Sequence, residues 1–276
     1  MSELLRIQSY IRNARDLYET HERSFNALIM GNVGTGKTRL ASTCRFPVLL
    51  HSFDPGGSTT KALQPFIQKG DIIVDSRFEI DDGKKPKAFK LWESEIAVLK
   101  QMGMFDEIGT FYVDGLTSIG SAIMNYILAN ASRANSVPQQ QDYLLQQITL
   151  TNLIKDLVNL PCDVIMTGHI GTDKDEVTGK MVSSLFVSGK LTIKIPMLFS
   201  ELYIAVTKAT SKGVDYKLLT TADGLYQART RIGEGVFDTF EEPNIKALLR
   251  KAKYEAKDRA PITNTSKEEP DAMTTT

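Results

Sequence analysis

From residue 25 onward the chain alternates between short unbroken apolar runs and longer stretches with helical spacing. Residues 25–30, 47–51, 109–114 and 163–167 are apolar runs bounded by turn residues, the pattern of strands covered on both faces. Residues 71–74 add a briefer one, and Asp54-Pro55-Gly56-Gly57 stops the run before it. Between them, 37–44, 88–104, the stretch from Asp114 to about Arg133, and 143–160 read as helices. In the last, Leu144, Leu145 and Ile148 share one face, while Leu150, Leu153, Ile154 and Leu157 lie further round, which predicts a helix covered on more than one side. Residues 135–141 are polar and broken by proline, hence a loop, and 170–190 read as a long loop or ribbon.

Strand alternation returns at 202–208 and 216–220, and Ala222-Asp223-Gly224 predicts a turn into a hairpin partner at 225–229. This order predicts an α/β fold with a mostly parallel central sheet and a C-terminal β-hairpin extension. Leu4, Leu5, Ile7, Ile11 and Leu17 form an apolar stripe that predicts a separate N-terminal helix. The chain therefore divides into that helix (1–23), a core (24–235), a C-terminal helix (236–257) and a tail (258–276). The tail is almost devoid of large apolar groups and is expected to be disordered.

Of 276 residues, 42% are hydrophobic and 24% charged, which excludes wholesale disorder. Thirty-three Lys and Arg balance thirty-three Asp and Glu, so any contact with nucleic acid must use a local patch rather than a global field. Cys44 and Cys162 lack zinc-ligand spacing and read as reduced core thiols. With no apolar leader and no membrane-spanning run, the expectation is a cytoplasmic protein without membrane contact.

The strongest chemical signal is Gly31-Asn32-Val33-Gly34-Thr35-Gly36-Lys37-Thr38, a full G-x-x-x-x-G-K-[ST] phosphate loop. At ordinary residue frequencies it arises by chance in roughly one chain of this length in a hundred, and a strand enters it while a helix leaves it. The glycines let successive backbone N–H groups wrap a phosphate. Lys37 reaches the β and γ phosphates, and the Thr38 hydroxyl is placed to ligate Mg²⁺. Asp114, where an apolar run meets solvent, is the expected carboxylate for that metal. Asp54, just past the run at 47–51, is the candidate base for the attacking water. His169, just past the run at 163–167, is placed to contact the γ phosphate. No guanine-reading [NT]KxD sequence lies in a suitable place, which points to ATP.

GNVGTGKT, PVLLHSFDPGG, FYVDG, VIMTGHIG, SGKLTIKIP and LLTTADGLYQAR together resemble a phage nucleotide-binding P-loop family. That family is similar to the RecA-like recombinase core and includes the Sak-four group of single-strand-annealing ATPases. The likeness spans about residues 25–233 and implies a RecA-like P-loop NTPase core. Asp54 falls where such proteins carry a catalytic acid, normally Glu, so hydrolysis is expected to be slow. His169 falls where many carry a γ-phosphate-sensing Gln. The family's single-stranded DNA loops map to 131–142 and 170–190, with Arg133, Lys174 and Lys180 as candidate contacts. A nucleotide shared between subunits implies a cation acting in trans, for which Lys190, Arg229 and Arg231 are candidates. The resemblance thus implies an oligomeric, Mg²⁺-dependent ATPase, a ring or filament that binds single-stranded DNA. Its expected work is annealing or strand exchange in phage recombination, replication or repair, in the host cytoplasm, with a single-strand-binding protein as a further partner. Two other readings use the same loop: a loader or remodelling motor on a replication or packaging complex, and a nucleotide-gated scaffold with little turnover.

Overall fold

The computed structural model describes residues 8, 24–174, 176, 179–211 and 213–262. Apart from Gln8, the expected N-terminal helix lies outside the described residues, as does the tail from 263. In chain order the elements are β1 (Asn26–Gly31), a 3-10 turn (Thr38–Thr43), β2 (Val48–Ser52), α1 (Gln64–Lys69), β3 (Ile72–Asp75), α2 (Ala88–Gln101), α3 (Met104–Glu107) and β4 (Thr110–Asp114). There follow α4 (Leu116–Asn130), α5 (Gln140–Leu157), β5 (Asp163–Gly168), β6 (Ile170–Lys174), β7 (Met181–Leu185) and α6 (Leu191–Lys194). β8 (Glu201–Thr210), β9 (Gly213–Leu219), β10 (Phe240–Glu241) and α7 (Ile245–Lys251) follow, with short 3-10 turns at Gly57–Thr59, Lys61–Leu63 and Pro196–Leu198 among the described residues.

One sheet runs β10-β9-β8-β1-β5-β4-β2-β3, and from β8 to β3 all neighbours are parallel. Alternate residues of each central strand face opposite sides. Leu28 and Met30 of β1 pack with Trp92, Ile123, Leu150 and Ile154 beneath α2, α4 and α5. Ala27 and Ile29 pack with Leu40, Leu63, Ile245 and Leu248 on the other side. Burial on both faces is why these strands read as unbroken apolar runs. At the sheet's base, Arg45 Nε and Nη2 donate to Asp163 at 2.6 and 2.7 Å, and the Phe25 N–H donates to the same carboxylate at 2.8 Å.

Four sequence expectations are corrected. The hairpin pairs β8 with β9, not 216–220 with 225–229. The Asp223 carboxylate accepts from the Leu225 and Tyr226 N–H groups, and the chain then leaves to bridge Tyr226 with Ser183 and Arg229 with Leu202. The helix after the phosphate loop is a six-residue 3-10 turn. On α5, Leu150, Ile154 and Leu157 are buried, but Leu144, Leu145 and Ile148 stay about half exposed, so only its later half is covered among the described residues. Lastly, residues 258–262 are pinned. Arg259 donates to the carbonyls of Phe105, Asp106 and Pro161, its N–H bonds the Phe46 carbonyl, and Ile262 packs on the core. Backbone carbonyls at the sheet's base need donors, and one guanidinium supplies several. Among the described residues no helix is long and apolar enough to cross a membrane.

Candidate nucleotide site

β1 and β4 are not neighbours; β5 lies between them. The register pairs Met30 with Gly168, Val113 with Met166 and Ser52 with Asp114, so Gly31, Ser52, Asp114 and Gly168 all reach the same edge of the sheet. Side chains remote in sequence meet there.

The phosphate loop begins where Gly31 passes so close to β8 that a Cβ would lie 2.6 Å from the Ala205 carbonyl oxygen. Gly34 and Gly36 adopt φ of +81° and +83°, a conformation open chiefly to glycine. Thr35 Oγ1 donates to the Asn32 carbonyl at 2.8 Å and holds the curl. Asn32 and Val33 form its exposed rim. Lys37 Nζ turns back into the loop and donates to the carbonyls of Gly31 and Asn32, both at 2.9 Å. The ammonium is buried, and that burial lowers its pKa against the opposing pull of Asp114 and Asp54. From β4, the Tyr112 hydroxyl donates to the Lys37 carbonyl at 2.6 Å, a support the sequence pattern did not reveal. Because the 3-10 turn is short, anion affinity rests on loop N–H groups and Lys37 more than on a helix dipole.

Asp114 is 1% exposed. Thr38 Oγ1 donates to its Oδ2 at 2.5 Å, and Thr167 of β5 donates to Oδ1. Burial raises this carboxyl's pKa, with the two hydroxyls opposing, Asp54 adding to the rise and Lys37 opposing it. A hydroxyl facing a carboxylate is the oxygen pair that Mg²⁺ uses beside phosphate. Among the described residues no group of three His, Cys, Asp or Glu could hold a metal alone. Mg²⁺ fits on Thr38 and Asp114 only with phosphate and water as its remaining ligands.

Asp54 sits one strand over. Ser118 Oγ donates to its Oδ1 at 2.5 Å, and His169 Nε2 stands 3.3 Å from its Oδ2. A Cβ at residue 115 would lie 2.1 Å from Asp54 Oδ1, so glycine there leaves room for the Asp54 carboxylate in this position. The His169 N–H donates to Thr117 Oγ1 at 3.2 Å, so the first turn of α4 ties both residues together. The structure thus gathers Lys37, Thr38, Asp54, Asp114 and His169 at one sheet edge. Against the outside of the loop lies a cavity of about 540 Å³ lined by Gly36, Arg39, Thr43, Tyr216 and Asn244 among others. Tyr216, which the sequence reading passed over, packs within 3.2 Å of the Gly36 Cβ position.

Other candidates are dispersed. Arg133 Nη2, from the loop before α5, donates to the buried Asp142 at 2.6 Å, and Asp142 also caps α5, so this guanidinium supports the start of that helix. Arg229 donates to the carbonyls of Pro196 and Phe199 at 2.8 and 2.9 Å beside the start of β8, at the edge opposite the phosphate loop. Arg231 is exposed and reaches the Met197 carbonyl at 3.3 Å. Lys190 is exposed at the start of α6, and Lys174 and Lys180 are exposed at the far end of the β6–β7 ribbon.

The sheet order, with one strand between the phosphate-loop strand and the Asp114 strand, defines a RecA-like P-loop NTPase core. A family model described as AAA domain matches residues 23–232, and the chain belongs to that family. Comparison with curated proteins gives no match. Among solved structures, the KaiC-like protein PH0186 from Pyrococcus horikoshii OT3 aligns at 11% identity and a TM-score of 0.39, covering 70% of this chain and 76% of its own. The flagellar accessory protein FlaH from Methanocaldococcus jannaschii aligns at 13% and 0.44, covering 78% and 82%.

Proposed function

We propose that this chain is a Mg²⁺-dependent ATPase that works as an oligomer on single-stranded DNA, promoting annealing or strand exchange. One observation supports the reading most: Lys37, Thr38, Asp114, Asp54 and His169 converge although they come from four different strand ends. On binding, Lys37 exchanges the Gly31 and Asn32 carbonyls for β and γ phosphate oxygens. Thr38 and Asp114 would hold Mg²⁺, which would supply charge neutralisation for the phosphates. Asp54 takes the proton of the attacking water, and Ser118 and His169 hold its carboxylate in position. His169 opens the β6–β7 ribbon, so contact with γ phosphate at that imidazole bears on where the ribbon sits.

The DNA part of the proposal is supported by the ribbon's exposed Lys174 and Lys180. ATP turnover with and without single-stranded DNA tests it, read beside particle size by light scattering. Stimulation by DNA and an assembly larger than one chain are expected. Turnover unaffected by DNA, with no binding of the strand, would remove the DNA role and leave the ATPase standing. Reversing the charge of Lys174 and Lys180 should flatten the salt dependence of binding by roughly one slope unit per lost phosphate contact.

A further inference from the structure

A nucleotide gripped at the phosphate loop with its γ phosphate towards Asp54, Asp114 and His169 points its nucleoside end the other way. Those three residues stand at the ends of β2, β4 and β5, all on one side of β1, whereas β8 and β9 lie on the other. The cavity of about 540 Å³ outside the loop is on that second side, lined by Gly36 and Arg39 and, from β9, by Val214, Asp215 and Tyr216. Its size is within the range of small-ligand sites, about 300–1,000 Å³.

Tyr216 is the aromatic part of the wall. β1 pairs with β8 as far as Gly31 and Ala205, and the β8–β9 hairpin runs on past that edge, with Tyr216 opposite Thr207. Leu218, two residues along, packs with Leu40 and Ile245, so strand alternation puts Tyr216 on the same face of the sheet. Its Cδ1 and Cε1 lie 3.2 and 3.5 Å from where a Gly36 Cβ would be. The edge of the ring therefore rests on the phosphate loop, while the residue as a whole is only half-buried. An aromatic ring that keeps accessible surface beside a phosphate site is a platform on which a base can stack.

The rest of the wall suits a nucleoside rather than a further phosphate. Asp215 and Glu242 line it, and both pair with Lys217. Carboxylates repel a phosphate but accept hydrogen bonds from ribose hydroxyls and from an amino group on a base. Leu40, Val214 and Pro243 add apolar surface for the faces of a planar ring. We propose that this cavity holds the ribose and base of the bound nucleotide, with Tyr216 of the projecting hairpin as the platform for the base. The inference rests on the ATPase reading above and deepens it, by naming the residue that tells a nucleotide from its phosphates alone. It is independent of the DNA reading.

The test is calorimetric titration of the full chain, in Mg²⁺, with a non-hydrolysable ATP analogue and with its abasic counterpart, which keeps the ribose and phosphates and lacks the base. The native chain should bind the analogue roughly 5- to 150-fold tighter than the abasic compound, the range that base–aromatic stacking supplies. Tyr216→Ala should close most of that gap by weakening the analogue alone, and Tyr216→Phe, which keeps the ring, should preserve it. Melting temperatures serve as the folding control, and the comparison within the native chain needs no variant. Equal affinity of the native chain for the two ligands overturns the base site, as does a gap that survives Tyr216→Ala. A loss shared equally by both ligands in Tyr216→Ala would assign the ring to supporting Gly36 and overturn its role as platform. If the native chain binds neither ligand, the nucleotide reading falls and the base site with it.

Discussion

His169 and Asp54 meet at the edge of the sheet, imidazole Nε2 to carboxylate Oδ2 at 3.3 Å, with Ser118 closing on the other oxygen at 2.5 Å. The first turn of α4 makes this possible, because Thr117 holds the backbone of His169 while Ser118 holds the side chain of Asp54. A carboxylate clamped on both oxygens is preorganised to orient water.

Asp54→Asn should lower ATP turnover about 10²- to 10⁴-fold with little change in nucleotide affinity. Gly115→Ala should do nearly as much without altering residue 54, because the new methyl, 2.1 Å from the place of Asp54 Oδ1, pushes the carboxylate aside. Single-turnover assays of both variants check this. Full activity in Gly115→Ala would show that the clamped position is not the working one.

Lys37→Ala should weaken ATP binding by about 10- to 150-fold, the loss of a charge-assisted contact of about 1.5–3 kcal/mol. Calorimetric titration with a non-hydrolysable ATP analogue measures it. Unchanged affinity would place the nucleotide elsewhere.

Asp114 gives a prediction of opposite sign for stability and function. Burial raises its folded pKa, so its favourable share of stability is complete below the unfolded value near 3.8 and is lost as pH rises through the folded value. Asp114→Asn should therefore melt higher than the native protein without nucleotide, by a margin that grows as pH climbs from about 4, while Mg²⁺-dependent ATP binding is lost. Melting curves across pH test the first half and titration with Mg²⁺-ATP the second.

His51 behaves in the reverse sense. It is buried, its Nδ1 accepts the Trp92 indole N–H at 2.8 Å, and burial lowers its pKa to about 4. The unfolded chain takes up the proton first, so stability falls as pH drops from about 6.5 towards 4, by on the order of 3 kcal/mol in all. His51→Gln should flatten that part of the profile, followed by Trp92 fluorescence. A profile identical to the native one would assign the acid sensitivity to other groups.

Arg259→Ala should destabilise the fold by about 1–3 kcal/mol, since carbonyls of Phe105, Asp106 and Pro161 lose their shared donor. Urea denaturation measures the loss. A shift within error would make the clasp a bystander.

Local pattern determined a good deal of this protein. The unbroken apolar runs specified four parallel strands because both their faces are covered, and β3, the half-covered edge strand, gave a shorter one; the phosphate loop was legible because its glycines and lysine are contiguous. Asp114, Asp54 and His169 could be picked out as strand-end residues by the same logic. Their meeting was another matter: it depends on β5 lying between β1 and β4 and on the register that aligns Gly31, Ser52, Asp114 and Gly168. Charge was the least legible quantity. Arg133 and Arg229 read as candidates for contacts outside the chain, yet each is also bonded through Nη2 to a partner that only folding brings near, Asp142 for one and two backbone carbonyls for the other. The hairpin went the same way, because the Asp223 turn is real but the strand after it is captured by Ser183 and Leu202. Residue type and spacing are local quantities and report on backbone geometry and burial; hydrogen-bond partners are set by distances through space, so the tertiary structure alone decided which polar groups remain available for chemistry.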